Sequence, residues 1–438
     1  MYDTIKTDGD TSWFVKDRFG MFIHWGLYSL AARHEWMKHY EKMTNEEYEK
    51  YFNHFDPDMY DPDRWAELAQ RAGMKYFVIT TKHHEGFCLW DSKYTDYKAT
   101  NTPYGKDLLH PMVDAFRGRG LKVGFYHSLI DWHHPDFTID DVHPLRDLPK
   151  EEALKLNASK DMNKYREYLH NQVKELLTEF GKIDVMWFDF SYPEGNKEKY
   201  PYFEGKGHKD WDSENLYKMI RKYQPGVVID DRLDLDGTWD FKSPEQYQPN
   251  EWVTYNGQKV VWEACQTFSG SWGYHREEAT WKSPKQLITM LADTVSKGGN
   301  LLLNVGPTGR GEFDYRAIER LEAIGDWMRY NSSSIYNCTQ APAEFTLDNG
   351  NIMTYNPEKK RLYIHLVNYP LIGSFMLHGL KEKVEYAQFL HDKSELIMNK
   401  HIFLHAGLNK SFEQDTVFTV PIIKPNVEVP VVEVFLKE

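Results

Sequence analysis

The alternation of short apolar runs with longer stretches of helical period is the feature that most restricts how this chain can fold. Between residues 19 and 335, runs such as FGMFIHWG, MKYFVITTKHH and LKVGFYHS alternate with PDRWAELAQRAG and MVDAFRGRG. Strand and helix signals in alternation indicate βα units built on a parallel sheet. About seven strands can be counted, which is enough for a (β/α)8-like barrel with one irregular or missing element.

The pattern changes beyond residue 340. Short segments of alternating polarity follow one another, separated by Gly, Pro, Asn, Asp and Lys: NIMTYNP, KRLYIHLVNY, VEYAQFLHD, HIFLHAG, TVFTVPI and VVEVFLK. Such segments are typical of a β-sandwich. We therefore expect an α/β chain with a (β/α)8-like barrel domain over residues 1–339, followed by a C-terminal β-sandwich domain over residues 340–438.

Charge and composition narrow the choice of partner. The net charge of −13 argues against nucleic acid or a membrane as a partner, because both reward clustered Lys and Arg. The aromatic share of 15%, with 14 Trp and 28 Tyr, favours pockets with apolar faces, on which sugar rings stack. A homo-oligomer is compatible with the sequence.

Neither a metal site nor a targeting segment is evident in the sequence. Cys88, Cys265 and Cys338 stand far apart and outside any CxxC or Cys/His spacing, which predicts neither a disulfide framework nor a zinc site. The N-terminus lacks a basic segment followed by an apolar stretch, so we expect a cytoplasmic protein. No cofactor is predicted.

Polar and aromatic side chains stand at or just beyond the predicted strand ends. In a βα barrel the chemistry is carried at the carboxyl ends of the strands, whereas interior positions are aliphatic. The side chains concerned are His24, Trp25, His83, His84, Tyr126, His127, Asp189, Arg232, Glu263 and Asn304. Their convergence from several strands is hard to explain as packing.

The predicted strand IDVMWFDFSY places a carboxylate, Asp189, after a run of mostly apolar and aromatic residues. Hydrolysis of a glycosidic bond needs two carboxyl groups, one to attack or activate water and one to protonate the leaving oxygen. Asp189 is the candidate nucleophile, with Arg232 at the next strand end to keep it ionised. Two candidates for the acid stay open, Glu245 on a long loop and Glu263 at a strand end, and the pattern slightly favours Glu263.

Together these segments resemble the α-L-fucosidases of glycoside hydrolase family 29. The resemblance rests on FGMFIHWGLYS, HEWM, YFVITTKHHEGFCLWDS, GFYHSLIDWHHP, IDVMWFDF, VVIDDR, WDFKSPEQ, WEACQTFSGSWGY and GGNLLLNVGPTGRG, in the family's order and approximate spacing. It implies an exo-acting, retaining enzyme that removes terminal α-L-fucosyl residues from fucosylated glycans through a covalent intermediate on Asp189. Within FKSPE it assigns the acid/base to Glu245, against the preference drawn from the pattern.

The resemblance also implies a substrate pocket. Imidazoles and Glu35 would hold the hydroxyls of fucose, while Trp side chains would cover its methyl group and apolar ring face. The pocket residues implied are His24, Glu35, Trp36, His83, His84, Tyr126, His127, Trp187, Arg232 and Trp272.

Two other functions compete with this interpretation. A hydrolase of a related sugar such as an α-L-galactoside would need a roomy polar environment around C6, because fucose is 6-deoxy-L-galactose. A non-catalytic fucose-binding protein would bind fucose tightly without turnover.

Overall fold

A parallel sheet organises the first 305 residues of the computed structural model, which describes residues 3–347, 349–379, 381–399 and 414–437. The strands of this region are β1 Phe19–Ile23, β2 Tyr76–Lys82, β3 Lys122–Ser128, β4 Val185–Asp189, β5 Val228–Ile229, the hairpin β6 Thr254–Tyr255 and β7 Gln258–Lys259, then β8 Glu263–Thr267 and β9 Asn300–Val305. Within the described residues, seven of them form one sheet in the order β5-β4-β3-β2-β1-β9-β8. This arrangement confirms the predicted barrel-like architecture.

Helices fill most of the connections between these strands. Their bounds are α1 Phe14–Asp17, α2 Tyr28–Ala31, α3 Met37–Tyr40, α4 Asn45–Phe52, α5 Pro62–Arg71, α6 Leu109–Gly118, α7 Lys150–Asn157, α8 Met162–Glu179, α9 His208–Trp211, α10 Ser213–Tyr223, α11 Pro284–Ser296 and α12 Tyr315–Asn331.

Local sequence explains where the longer helices begin. Asp61 accepts a hydrogen bond from the Arg64 amide (3.0 Å) before α5, and Ser283 and Gln286 form a capping box at α11. In both helices proline takes one of the first positions, where no hydrogen bond from its nitrogen is needed.

Residues 240–246 connect the two edge strands of the sheet. The Asp240 amide donates to the Ile229 carbonyl oxygen at the end of β5 (2.7 Å). On the other side, the Cys265 amide of β8 donates to the Pro244 carbonyl oxygen (3.1 Å). This segment, which the sequence analysis treats as part of a long loop, therefore serves as the irregular eighth stave of the barrel.

Two antiparallel sheets follow the barrel. Their strands are β10 Thr339–Gln340, β11 Thr346–Leu347, β12 Ile352–Asn356, β13 Arg361–His365, β14 Ser374–His378, β15 Val384–Phe389, β16 Ile397–Met398, β17 Thr416–Thr419 and β18 Val431–Leu436. One sheet has the order β10-β12-β13-β18-β15 and the other β11-β14-β17-β16, among the residues described. They bury a shared apolar cluster that includes Leu362, Leu377, Phe418 and Val432, which is the core of the predicted sandwich.

The sandwich is tied to the barrel through α12. The indole of Trp327 donates to the Val429 carbonyl oxygen (2.8 Å), and both residues belong to the large core cluster of the barrel. The domain boundary at residues 339/340 stays a prediction, and the predicted strand HIFLHAG lies outside the described residues. Among the residues described, no helix is long and apolar enough to cross a membrane.

Candidate active site

A cavity of about 320 Å³ opens at the carboxyl ends of the barrel strands. Ligand pockets typically measure about 300–1,000 Å³, so this one suits a single small ring. Its lining residues are Phe22, His24, His34, Glu35, Trp36, Tyr40, His83, His84, Tyr126, Trp187, Asp189, Phe190, Arg232, Glu245, Gln246, Cys265, Gly270 and Trp272.

One guanidinium group joins the two predicted catalytic carboxylates. Nη1 of Arg232 donates to Oδ1 of Asp189 (3.1 Å), and Nη2 donates to Oε2 of Glu245 (2.8 Å). Asp189 ends β4, Arg232 follows β5, and Glu245 lies on the irregular eighth stave. Three neighbouring staves thus bring the groups together, although 56 positions separate Asp189 from Glu245 in sequence.

The surroundings of Asp189 act on its pKa in opposite directions. Burial raises the pKa, Arg232 lowers it, Glu245 raises it, and a hydrogen bond from the Tyr126 hydroxyl (2.8 Å) lowers it, with a net rise from the ordinary value. The side chain is 15% exposed, against 39% for Glu245. Asp189 therefore lies deep in the cavity, whereas Glu245 lies nearer to solvent.

Trp187 lies beneath the charged side chain of Arg232 and beside Tyr126. Its ring stacks on that of Tyr126, with centroids 5.6 Å apart, and the Arg232 guanidinium lies 4.9 Å above the indole centroid. A cation over an indole is stabilised by the ring quadrupole. Trp187 therefore orients both Arg232 and the tyrosine that contacts Asp189.

Asn304 fixes the orientation and tautomer of His24. The Asn304 amide nitrogen donates to the Trp272 carbonyl oxygen (2.6 Å), so its oxygen faces Nδ1 of His24 (2.6 Å). Burial lowers the pKa of His24 well below its ordinary value, and the neutral ring then carries its proton on Nδ1. Nε2 of His24 is left as a hydrogen-bond acceptor.

Ser128 fixes the orientation and tautomer of His84. The Ser128 hydroxyl donates to the Ile130 carbonyl oxygen (2.7 Å), so it accepts from Nδ1 of His84 (2.7 Å). Burial lowers the pKa of His84 as well, and its Nε2 lies 3.6 Å from Oδ2 of Asp189. Two neutral imidazole acceptors thus face the cavity, which suits a ligand rich in hydroxyl groups.

His83 and His84 both line the cavity although they are neighbours in sequence. Side chains alternate between faces along a strand, but β2 ends at Lys82 and this constraint no longer applies beyond it. Their ring centroids are 4.0 Å apart. Because the strand ends before them, as the sequence predicts, both histidines can face the same ligand.

Glu35 and Trp36 enter from the segment before α3. The buried Glu35 accepts from the Gly273 amide (2.9 Å), which connects it to the loop carrying Trp272. The ring of Trp36 lies 5.1 Å from that of His84. Both residues occupy the cavity with the histidines.

Two of the predicted positions are wrong. His127 does not line the cavity, because it follows Tyr126 on β3 and points to the opposite face, where it contacts Thr81 (3.1 Å). Glu263 begins β8 instead of ending it, so it lies at the opposite end of the barrel, where Tyr76 donates to it.

Seven residues that line the cavity were not predicted as site residues from the sequence, namely Phe22, His34, Tyr40, Phe190, Gln246, Cys265 and Gly270. Tyr40 follows Trp36 at helical spacing, a signal that could have identified it. Gln246 and Phe190 lie directly beside Glu245 and Asp189, but both adopt positive φ angles, 58° and 82°, which their sequence does not reveal. No group of three or more His, Cys, Asp or Glu suited to a metal ion occurs in the described part of the chain.

A βα barrel with two carboxylates in a cavity at the carboxyl ends of its strands is an arrangement found in glycoside hydrolases. The sequence profile of alpha-L-fucosidases matches residues 2–333. The tissue alpha-L-fucosidase of Mus musculus is 30% identical over 352 residues, which are 74% of this chain and 71% of that relative. The chain belongs to the alpha-L-fucosidase family, which confirms the resemblance noted in its sequence.

Solved structures agree with this membership. Alpha-L-fucosidase isoenzyme 1 from Paenibacillus thiaminolyticus superimposes with a TM-score of 0.87 at 44% identity, covering 98% of this chain and 99% of the other. A GH29 enzyme from Bacteroides thetaiotaomicron, trapped as a covalent intermediate with 2-fluoro-fucosyl fluoride in a glutamate-to-glutamine variant, has a TM-score of 0.82 at 28% identity over 100% and 98% of the chains. The prediction of a retaining glycoside hydrolase is confirmed.

Proposed function

We propose that this enzyme releases terminal α-L-fucosyl residues from fucosylated glycans, with Asp189 as nucleophile and Glu245 as acid/base. The observation that carries the proposal is the single guanidinium of Arg232 that contacts both carboxylates inside the cavity. The shared guanidinium supports a paired role, because the two catalytic carboxyl groups must reach the same glycosidic bond. Retaining glycosidases need their carboxyl groups about 5–5.5 Å apart, and inverting ones need about 6.5–9.5 Å.

The first step forms a covalent fucosyl-enzyme. A carboxylate oxygen of Asp189 attacks the anomeric carbon, and the bond from that carbon to the leaving oxygen breaks. Glu245 gives its proton to the leaving oxygen, so the glycan departs as a neutral alcohol. Arg232 and the Tyr126 hydroxyl stabilise Asp189 as the carboxylate that attacks.

The second step releases fucose. Glu245, now a carboxylate, takes a proton from water as the water attacks the anomeric carbon, and the bond to Asp189 breaks. Two inversions at the same carbon give overall retention. The greater exposure of Glu245 supports this role, because the acid/base must meet both the leaving glycan and water.

The cavity residues supply recognition of the sugar. Nε2 of His24 and of His84 would accept hydroxyl protons, and His83 and Glu35 would complete the polar side. The further lining residues proposed to hold the sugar are Trp36, Tyr126, Trp187, Arg232 and Trp272. The indoles offer apolar faces for the ring and methyl group of fucose.

Proton NMR of the first-formed product tests the proposal. Wild-type enzyme is mixed with an aryl α-L-fucoside, and the anomeric signals are followed before mutarotation. We expect α-L-fucose to appear first, and the matched aryl α-L-galactoside to react more slowly because the indoles leave little polar space around C6. Initial formation of β-L-fucose, or no turnover of the fucoside, would contradict the proposal.

A further inference from the structure

A second concave surface adjoins the sugar cavity. This groove, of about 700 Å³, is lined by Phe190, residues 192–198, Asp141 and Val142. Phe190 also lines the sugar cavity, so it stands between the two spaces. The groove has more than twice the volume of the cavity and can hold more than one sugar ring.

A row of aromatic rings leads from the cavity into the groove. The centroids of Tyr40 and Trp36 are 6.3 Å apart, those of Trp36 and Phe190 are 5.1 Å apart, and those of Phe190 and Tyr192 are 5.3 Å apart. Aromatic faces are the surfaces on which the apolar side of a sugar ring packs. The row therefore offers a continuous path for sugars that extend beyond the cavity.

The backbone of Phe190 adopts a conformation that is unusual for a residue with a side chain. Its φ angle is 82°, a conformation that costs a residue with a side chain about 1–3 kcal/mol and that glycine adopts freely. Strained residues of this kind cluster at functional sites. A phenyl group at a position suited to glycine indicates that the ring itself has a use, directly after the nucleophile.

The wall of the groove is fixed from several sides. The Tyr192 amide donates to the Lys206 carbonyl oxygen (2.7 Å), and its hydroxyl donates to Asp140 (2.7 Å). The Ser191 hydroxyl donates to the carbonyl oxygen of Arg232 (2.7 Å), the residue that holds both catalytic carboxylates. The groove is thus held in a constant position relative to the reacting groups.

The residues that line the groove carry more negative than positive charge. Asp141, Glu194 and Glu198 line it, and Lys197 is its one cation among the lining residues described. The Lys197 ammonium is engaged outside the groove by Glu204 (2.6 Å) and a backbone carbonyl. A sulfate or carboxylate on a ligand would therefore meet like charge.

We propose that the groove binds the leaving group, taking a neutral oligosaccharide of at least two sugars with the first ring packed on Phe190, and that it disfavours sulfated glycans. This inference rests on the proposed function, because it requires bond cleavage at Asp189. Fucosyl fluoride has a leaving group without a ring, which cannot pack on Phe190 or enter the groove, so its turnover reports on the cavity alone.

The experiment compares kcat/KM for three substrates. These are α-L-fucosyl fluoride, a neutral α-L-fucosyl trisaccharide, and the same trisaccharide sulfated on the sugar farthest from fucose. The kcat/KM of each variant for a trisaccharide is divided by its kcat/KM for fucosyl fluoride. The ratio removes general losses of activity or folding.

Two sets of variants are measured. Phe190→Gly should lower the ratio for the neutral trisaccharide about tenfold, as expected for a lost ring contact, whereas Phe190→Tyr, which keeps the ring, should retain it. The double variant Glu194→Lys/Glu198→Lys should raise the sulfated-to-neutral ratio about tenfold, with Glu194→Gln/Glu198→Gln in between.

The outcomes separate the two proposals. Unchanged ratios in Phe190→Gly and in the charge-reversed variant, with fucosyl fluoride still hydrolysed, would overturn the groove assignment alone. Absence of aryl fucoside turnover in the wild-type enzyme would instead overturn the proposed function. Should Phe190→Gly not fold, the charge-reversed pair still decides the assignment.

Discussion

Carboxylates are buried at both ends of the barrel, and their partners differ. At the amino end, Asp184 accepts from the Val123 amide (3.0 Å), and Asp240 accepts from the amides of Gly9 and Ile229 (2.8 Å each). Such carboxylates accept hydrogen bonds from backbone amides that find no backbone acceptor where strands begin. Their oxygens are therefore already occupied. Their role is to stabilise the fold.

At the carboxyl end, Asp189 and Glu245 are held by side chains that border a cavity. Arg232 contacts both, and Tyr126 contacts Asp189. These groups border a cavity with room for a substrate, whereas the amino-end carboxylates are enclosed by backbone amides and by side chains such as Tyr76 and Arg221. A carboxylate in this barrel is therefore reactive or structural according to which strand end it occupies, and the following variants test that rule.

The largest effect is expected for Asp189→Asn. The amide cannot attack the anomeric carbon, so turnover of every fucoside should fall by more than about a thousandfold. The control is Asp184→Asn, five positions earlier at the amino end, which should lower stability and leave kcat near wild type. Equal losses of kcat in the two variants, measured on folded protein, would break the distinction between the ends.

The second largest effect on turnover is expected for Glu245→Gln. Loss of general acid/base catalysis costs about 10²–10⁴-fold, and the loss should be larger for glycan substrates than for an aryl fucoside whose leaving group needs no proton. Added azide should partly restore turnover of the aryl fucoside as fucosyl azide. Glu263→Gln at the amino end is the control, and azide rescue in that variant instead would move the acid/base role to Glu263.

Arg232→Met should change the pH profile. The guanidinium lowers the pKa of Asp189, so its removal raises that pKa and leaves Asp189 protonated at higher pH. The acid limb of kcat/KM should shift to higher pH, with a loss of about tenfold or more near pH 6. Arg221→Met, which removes the partner of Asp240 at the amino end, should reduce stability without moving this limb.

The smallest effect on activity is expected for Glu263→Gln, whose consequence is on stability. Burial raises the pKa of Glu263 from 4.5 to about 8. Between these values the folded protein holds a proton that the unfolded chain releases, so this group's contribution to the free energy of unfolding falls as pH rises. Urea unfolding at about pH 5, 7 and 9 should show this decline in the wild type and a smaller one in Glu263→Gln; identical pH dependence would contradict the assignment.

Much of the fold could be predicted from the sequence, because apolar runs and helical periods are local signals. The seven staves and the antiparallel strands of the sandwich follow from such patterns. The eighth stave could not be predicted: DFKSPEQ contains a proline and three charged residues, and its hydrogen bonds to two edge strands depend on the closed barrel. Its irregular form is set by tertiary structure.

The candidate site, too, could be predicted only in part from the sequence. Asp189, Arg232 and the two histidines after β2 follow strands with clear ends, and the sequence indicates their shared edge. The sequence predicts the wrong strand end for Glu263, because the apolar run VVWEACQTF does not reveal where its strand begins. In the structure the strand begins at Glu263 itself. The positive φ of Phe190, which brings its ring between cavity and groove, is likewise invisible in sequence.

The most direct test of the central claim is to identify the residue that carries the sugar. Glu245→Gln enzyme is incubated with 2-fluoro-fucosyl fluoride, digested with pepsin at low pH, and analysed by tandem mass spectrometry, with Asp189→Asn/Glu245→Gln as control. The account predicts one added 2-fluoro-fucosyl group on Asp189 and none in the double variant. A label on another carboxylate, or equal labelling of the double variant, would contradict it.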